Sequence, residues 1–266
     1  MSAPQPTSLD AVFANKNAVD DAVPFQVANS DEPGMGHGKM GWLSDDPERF
    51  FSVAAERNKA VIGENVVRHL SVLQTGTVLE IGSGSGQHIA YLAKQLPQLK
   101  FKPTEYHGHP NPFAQSQEAE KMLVSIRKTA LEAEANNVLD AQVLDACELA
   151  SWGGSGDGSL AAIICINVVH ISPEAVLKGV VRGASKKLAA GGLLFFYGPW
   201  CVDGQISPES NIRFDCMLRE KNPAFGIRDI SSLARLCAEE GNLEVEERIF
   251  VEASNNYFLS VRKAGS

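Results

Sequence analysis

Apolar positions change their spacing along this chain in an orderly way, and each change marks an element. Between Phe50 and Leu70 they fall at Phe50, Phe51, Ala54, Ala55, Ile62, Val66, Val67 and Leu70, a helical period with one buried face. Asp46 and Pro47 precede this stretch as a predicted N-cap and first helical residue. From Thr77 to Ile81 the period disappears, and a short run broken only by Glu80 predicts a buried strand that enters glycines at 82, 84 and 86. A helix is predicted from Gln87 to about Leu96, with further strands at Leu99–Thr104, Ala141–Leu144, Leu160–Ile166 and Leu193–Tyr197. The run LAAIICI at 160–166 has no polar position, which predicts a central strand covered on both faces. Helices are predicted at about 113–135, 173–188, 211–221 and 229–240. The closing segments LEVEERIFVEA and NNYFLSVRK alternate and predict an antiparallel hairpin. Five strand-helix alternations followed by a hairpin predict an α/β fold, a mostly parallel sheet with helices on both faces.

Composition narrows the class. The 266 residues suit one α/β domain from 46 to 266 behind an N-terminal extension at 1–45. That extension has no sustained period, yet Phe13, Val23, Phe25, Val27 and Trp42 give it apolar anchors, and its glycines at 34–41 suit the hinges of a lid. A net charge of −8 without any basic run argues against a nucleic-acid partner or an anionic membrane surface. Five cysteines without C-x-x-C spacing suggest neither a disulfide framework nor a zinc knuckle. With no leader pattern and no membrane-spanning run, the expected location is the cytoplasm. Glu105, His107 and His109 lie close in a Pro- and Gly-rich loop but lack a fourth donor at a typical spacing, so no metal is expected.

The chemistry concentrates at the ends of predicted strands. A strand, a glycine turn and a helix together place unpaired N–H groups where open α/β sheets bind ligands. A dinucleotide fingerprint needs G-x-G-x-x-G or A, and from Gly82 and Gly84 the third position falls on Gln87, which argues against NAD. No Lys follows Gly86 as a phosphate loop requires. What remains, E-x-G-x-G-x-G from Glu80, resembles the turn of class I S-adenosylmethionine (SAM) methyltransferases. Glu105 stands nineteen positions after Gly86, near where a nucleotide site places the acid that accepts ribose hydroxyls.

The resemblance extends further. AERNK (55–59), LEIGSGSGQH (79–88), CINVVHISP (165–173), YGPW (197–200), ISPESN (206–211), FDCMLREKNPAFGIRD (214–229) and the paired Asn255 and Asn256 resemble the methyltransferase-like protein 26 family, assigned to class I methyltransferases. It covers about Phe50 to Lys263; the first 45 residues and the longer HGHPNP loop depart from it. The resemblance implies a Rossmann-like, seven-stranded sheet of order 3-2-1-4-5-7-6 closed by an antiparallel hairpin. It implies SAM as cofactor and S-adenosylhomocysteine as product. On this reading Arg57, Glu80, Gly82, Ser83, Gly84, Gly86, His88, Glu105, Asp145, Ala146 and Asn167 hold the cofactor, with Asp145 near the adenine amino group. Asn58, Trp200, Arg213, Asp215 and Arg228 are expected around a small-molecule methyl acceptor. Arg57, Arg213 and Arg228 are expected to include a guanidinium fork for a carboxylate, either that of the acceptor or that of the cofactor's methionyl end.

Methyl transfer needs positioning and, for a protic acceptor, a base. His170 is the expected base, since an ordinary imidazole titrates near neutrality. Tyr197 is expected to orient the acceptor by its hydroxyl or face the sulfonium with its ring. The acceptor atom, S, O or N, stays open. So do two alternatives: a non-catalytic SAM-binding or protein-interaction module, and a protein methyltransferase.

Overall fold

The structure, a computed structural model, describes residues 46, 48–106, 116–153 and 156–265. The expected extension at 1–45, together with Pro47, His107 and His109, lies outside the described residues. Among the described residues six α-helices, α1 (Val53–Leu70), α2 (Gln87–Gln95), α3 (Ser116–Glu132), α4 (Glu174–Lys187), α5 (Glu209–Lys221) and α6 (Ile230–Glu240), surround the strands. The principal strands are β1 (Thr77–Ile81), β2 (Lys100–Glu105), β3 (Gln142–Val143), β4 (Leu160–Ile166) and β5 (Leu188–Gly198). A short parallel pair, β6 (Trp200–Cys201) with β7 (Arg228–Asp229), precedes the hairpin β8 (Leu243–Val251) and β9 (Asn256–Lys263).

The seven-stranded sheet has the order β3-β2-β1-β4-β5-β9-β8. This is the expected class I order once the hairpin strands take the last two places. β1 pairs in parallel with β2 and β4, whereas β9 runs antiparallel beside β5 with Leu193 opposite Arg262. Alternation along β1 divides the core. Val78 packs with Ile62, Val66, Ile89 and Leu92 under α1 and α2, and Leu79 and Ile81 pack with Leu177, Val180 and Leu233 under α4 and α6. Burial on both faces is what leaves β4 without a polar position and β1 broken only by Glu80.

Several boundaries move, for physical reasons. α1 begins at Val53 with Ser52 as N-cap, its side chain accepting from Ala55 N at 3.2 Å, rather than at Asp46. Asp46 instead accepts Glu48 N at 2.9 Å and pairs with Lys128 of α3. Phe50 N donates to Ser125 Oγ at 2.8 Å and Ser52 N to Gln87 Oε1 at 2.7 Å, so these backbone groups are tied to α3 and α2 and not to an earlier helical turn. Pro173 is the N-cap of α4 rather than its first residue, and β5 starts at Leu188, before the glycines expected to open it. The β6–β7 pair was not expected, since two-residue strands carry no period.

Candidate functional site

The glycine turn at the carboxyl end of β1 packs against the end of β2 and the loop after β4, and its three glycines do different work. A Cβ on Gly82 would lie 2.8 Å from Val168 Cγ2, and one on Gly86 would lie 2.9 Å from the Ile126 Cα of α3. Both positions therefore need glycine for close packing. Gly84, at φ +54°, has nothing within 4 Å of its would-be Cβ and leaves the turn open at its crest.

Side chains brace the turn from below. Ser83 N donates to Thr104 O at 2.8 Å while Ser83 Oγ accepts Thr104 N at 3.2 Å, so the turn is laced to β2. Thr104 Oγ1 returns to Glu80 O at 2.6 Å. Glu105 accepts Gly84 N at 2.9 Å on one carboxylate oxygen and Tyr106 N at 3.0 Å on the other. Burial raises its carboxyl above the usual range, and those two N–H bonds oppose the rise.

Two further acids complete this end. Glu80 is 1% exposed and its Oε2 has no hydrogen-bond partner. Asp145, beyond β3, accepts Cys147 N at 2.9 Å, and its main chain is tied to Ser151 Oγ. Tyr106 leans toward it: burial, followed by the charges of Asp145 and Cys147, lifts the Tyr106 phenol above its ordinary range. Sequence reasoning missed Tyr106, although an aromatic directly after the acid that ends β2 was a usable signal. Ala146 is buried against α4, where a Cβ on Gly179 would meet the Ala146 carbonyl at 2.3 Å, so its place is in the core.

On the α1 side, Asn58 and His88 are buried while Arg57 is exposed. His88 Nε2 lacks a partner, and burial lowers the imidazole to about 4, with the neighbouring Glu56 and Lys59 charges acting in opposite directions. Gln87, the residue that breaks the dinucleotide pattern, accepts from Ser52 N and Ser85 Oγ and donates to Glu56 at 2.8 Å.

The loop after β4 forms the other wall. Asn167 adopts φ +55°, donates its N–H to Tyr197 O at 2.8 Å and stands with His170 against Gly198. A Cβ there would lie 3.3 Å from both Asn167 Oδ1 and His170 Nδ1. His170 is 5% exposed, its Nδ1 has no hydrogen-bond partner, and its ring meets Phe214 edge-on at 5.6 Å. Burial, aided by the Arg228 charge, depresses it to about 3. The imidazole is therefore neutral across the physiological range, which corrects the expectation of titration near neutrality.

Other expected residues serve the framework. Tyr197 is buried, and its hydroxyl is 2.8 Å from Ser254 Oγ at the hairpin tip. Trp200 lies in the core edge-on to Phe196, its Nε1 without a partner. Arg213 is exposed and pairs with Glu209 along α5. Asp215 accepts Ile227 N at 2.6 Å and Arg219 Nε at 2.7 Å. Arg228 donates to the carbonyls of Val169, Ser172 and Ala224, while Gly226 N donates to His170 O at 3.0 Å. These contacts clamp the His170 loop from the α5–α6 connection and do not form a free guanidinium fork.

The geometry fits a nucleoside with a charged tail. An open glycine crest, an acid locked beside it and a second buried acid with an unpartnered oxygen all face one strand end. Among the described residues no group of three or more His, Cys, Asp or Glu could hold a metal ion, and no helix is long and apolar enough to cross a membrane.

Residues 49–263 match the model of a family described as "Protein of unknown function (DUF938)". The chain belongs to this family. The DUF938 chain is also similar in fold to solved methyltransferases. An O-methyltransferase family protein from Burkholderia thailandensis superposes with a TM-score of 0.63 at 15% identity, covering 80% of this chain and 57% of the other. The mitomycin 7-O-methyltransferase MmcR gives 0.57 at 19%, covering 79% and 55%. Human N-acetylserotonin methyltransferase, solved in complex with SAM, gives 0.56 at 13%, covering 79% and 53%. The DUF938 chain thus spans little more than half the length of these structures, and the likeness shows a class I methyltransferase fold.

Proposed function

We propose that this chain is a SAM-dependent methyltransferase acting on a small molecule. The observation that carries the reading is the bond from Gly84 N to Glu105, which fixes an acid against an open glycine crest at a strand's carboxyl end. The fold neighbours, among them O-methyltransferases and a methyltransferase solved in complex with SAM, support it. So do the motifs that resemble the methyltransferase-like protein 26 family.

In this reading Glu105 holds the ribose hydroxyls, the N–H groups of the turn and the start of α2 meet the amino-acid end, and Asp145 with Tyr106 borders the adenine. When bound, SAM supplies a methyl group on a sulfonium for in-line transfer. The chain's residues align the acceptor and exclude water. His170, neutral and with an unpartnered Nδ1, accepts a hydrogen bond from an acceptor O–H and orients its lone pair. As a base it is weak in the free protein, so orientation is its main contribution. Since Arg213 and Arg228 have framework partners, a carboxylate on the acceptor would fall to Arg57.

Calorimetry with SAM, S-adenosylhomocysteine and NAD tests the cofactor, and labelled SAM in cell extract followed by mass identification of the product tests the acceptor class. Binding of NAD and not SAM would reverse the reading. Label transferred to protein alone would make it a protein methyltransferase, and SAM binding without any labelled product would favour the non-catalytic module.

A further inference from the structure

Two carboxyl groups, one buried (Glu80) and one half-buried (Glu105), sit side by side at the end of β1 and β2, and their partners differ. Glu105 accepts two backbone N–H groups, one on each oxygen, the arrangement that stabilises an ionised carboxylate. Glu80 is 1% exposed, takes a hydrogen bond from the Ser83 side chain, and has Oε2 buried without a partner. The groups that face it are Ser83 from the turn, Glu105 from β2 and Cys165 from β4, none of them a cation. An ionised Glu80 would be an unpaired buried charge beside another of the same sign.

Given the SAM reading, we propose that Glu80 holds a proton in the free protein and releases it to solvent when a ligand brings positive charge to the glycine turn. Glu80 thereby selects a cationic over an uncharged adenosine ligand. The step breaks the carboxyl O–H bond, leaves its electron pair on the carboxylate and passes the proton to water. In accord with this geometry, burial and the Glu105 charge, opposed by the Ser83 hydrogen bond, lift Glu80 to about 8. A ligand cation would reverse that balance by supplying the missing opposite charge.

Titration calorimetry of the full chain at pH 7, in two buffers of different ionisation enthalpy, counts the protons released. About one proton per SAM is expected from the wild type, and none with 5′-methylthioadenosine, which brings no cation. Glu80→Gln, which mimics the protonated carboxyl, should release none with SAM. Between pH 5.5 and 7 the wild-type Kd for SAM should fall about tenfold per pH unit, while that of the variant stays level. S-adenosylhomocysteine keeps the ammonium but not the sulfonium. Release equal to that of SAM would assign the pairing to the ammonium, and loss of release would assign it to the sulfonium.

Difference infrared spectroscopy gives a second readout that needs no variant, since SAM should abolish a protonated-carboxyl C=O band of the free protein. SAM binding with buffer-independent heat, proton release that persists in Glu80→Gln, or an unchanged infrared band would overturn the proposal while leaving the cofactor reading intact. Failure of both SAM and methylthioadenosine to bind would overturn the two together.

Discussion

Glu105 Oε2 takes the backbone N–H of Gly84 at 2.9 Å, so the acid that ends β2 and the crest of the glycine turn behave as one rigid piece. A hydrogen bond across 21 residues of sequence fixes where a ribose and an amino-acid tail would sit relative to each other. Removing Glu105 therefore takes away a ligand contact and loosens the turn. Glu105→Ala should weaken SAM binding by about 1–3 kcal/mol, the usual worth of a charged hydrogen-bond partner. Calorimetry decides it: an unaltered Kd would take Glu105 out of the site.

The glycines should separate stability from binding. Gly84→Ala places a methyl group in open space at a left-handed φ, a backbone cost of about 1–2 kcal/mol. Gly86→Ala adds to a similar cost a collision with the α3 backbone. With about 2–4 °C lost per kcal/mol, Gly86→Ala should melt well below Gly84→Ala. Gly84→Ala should nevertheless show the greater loss of SAM affinity for its loss of stability. Equal melting temperatures would mean that α3 does not hold the turn.

His170 makes a claim about pH. Its folded value of about 3 lies below the ordinary 6.5, so below neutrality the unfolded chain binds more protons than the folded one. The stability it contributes is present above pH 6.5 and is lost as pH falls toward 3. His88, at about 4, acts in the same direction. Denaturant titrations of His170→Gln from pH 7 to 4 should show a shallower acid loss than the wild type. For an oxygen acceptor, His170→Ala should lower kcat by about 10²-fold through lost orientation, without removing any limb near pH 6.5. A limb centred there that disappears with His170 would show that the imidazole titrates normally and that its burial has been misjudged.

Arg228 is expected to act through the loop that it holds and not by touching a ligand. Replacement by Met removes donors from three carbonyls and should destabilise the fold by roughly 2–3 kcal/mol, with Lys restoring part of it. In the cofactor arm, Kd for SAM should change less than about threefold, because the clamp holds the loop after β4 and not the glycine turn. Loss of SAM binding in a folded Arg228→Met protein would place Arg228 in the cofactor site itself.

How much of this could be read from the chain depends on which interactions decide it. Periodicity carried the fold, because burial on both faces of β4 leaves no polar position in LAAIICI and the turn after β1 needs glycine at close-packed points. The site was legible where one residue's place in a strand-end pattern determines its partner, as with Glu105. It was not legible where a side chain chooses among partners brought together by the fold. Arg213 and Arg228 look alike in sequence, yet one pairs with its own helix and the other reaches three carbonyls. His170 has an ordinary residue type but lies behind Phe214, a contact made by residues 44 apart that no local pattern announces. The delayed start of α1 has the same origin, since Ser125 and Gln87 compete for the backbone of residues 50–52.

Gln87 occupies the position where a dinucleotide fold would have its last glycine, and its amide group spans three segments: the entry to α1 through Ser52, the turn through Ser85, and α1 itself through Glu56. Cofactor preference at this position is thus fastened to the scaffold. A Gln87→Gly change would write the dinucleotide signature into the sequence and simultaneously unpin α1 from the turn, leaving Ser52 N and Ser85 Oγ without their acceptor. The chain stands one codon from another family's motif but several coordinated substitutions from its architecture.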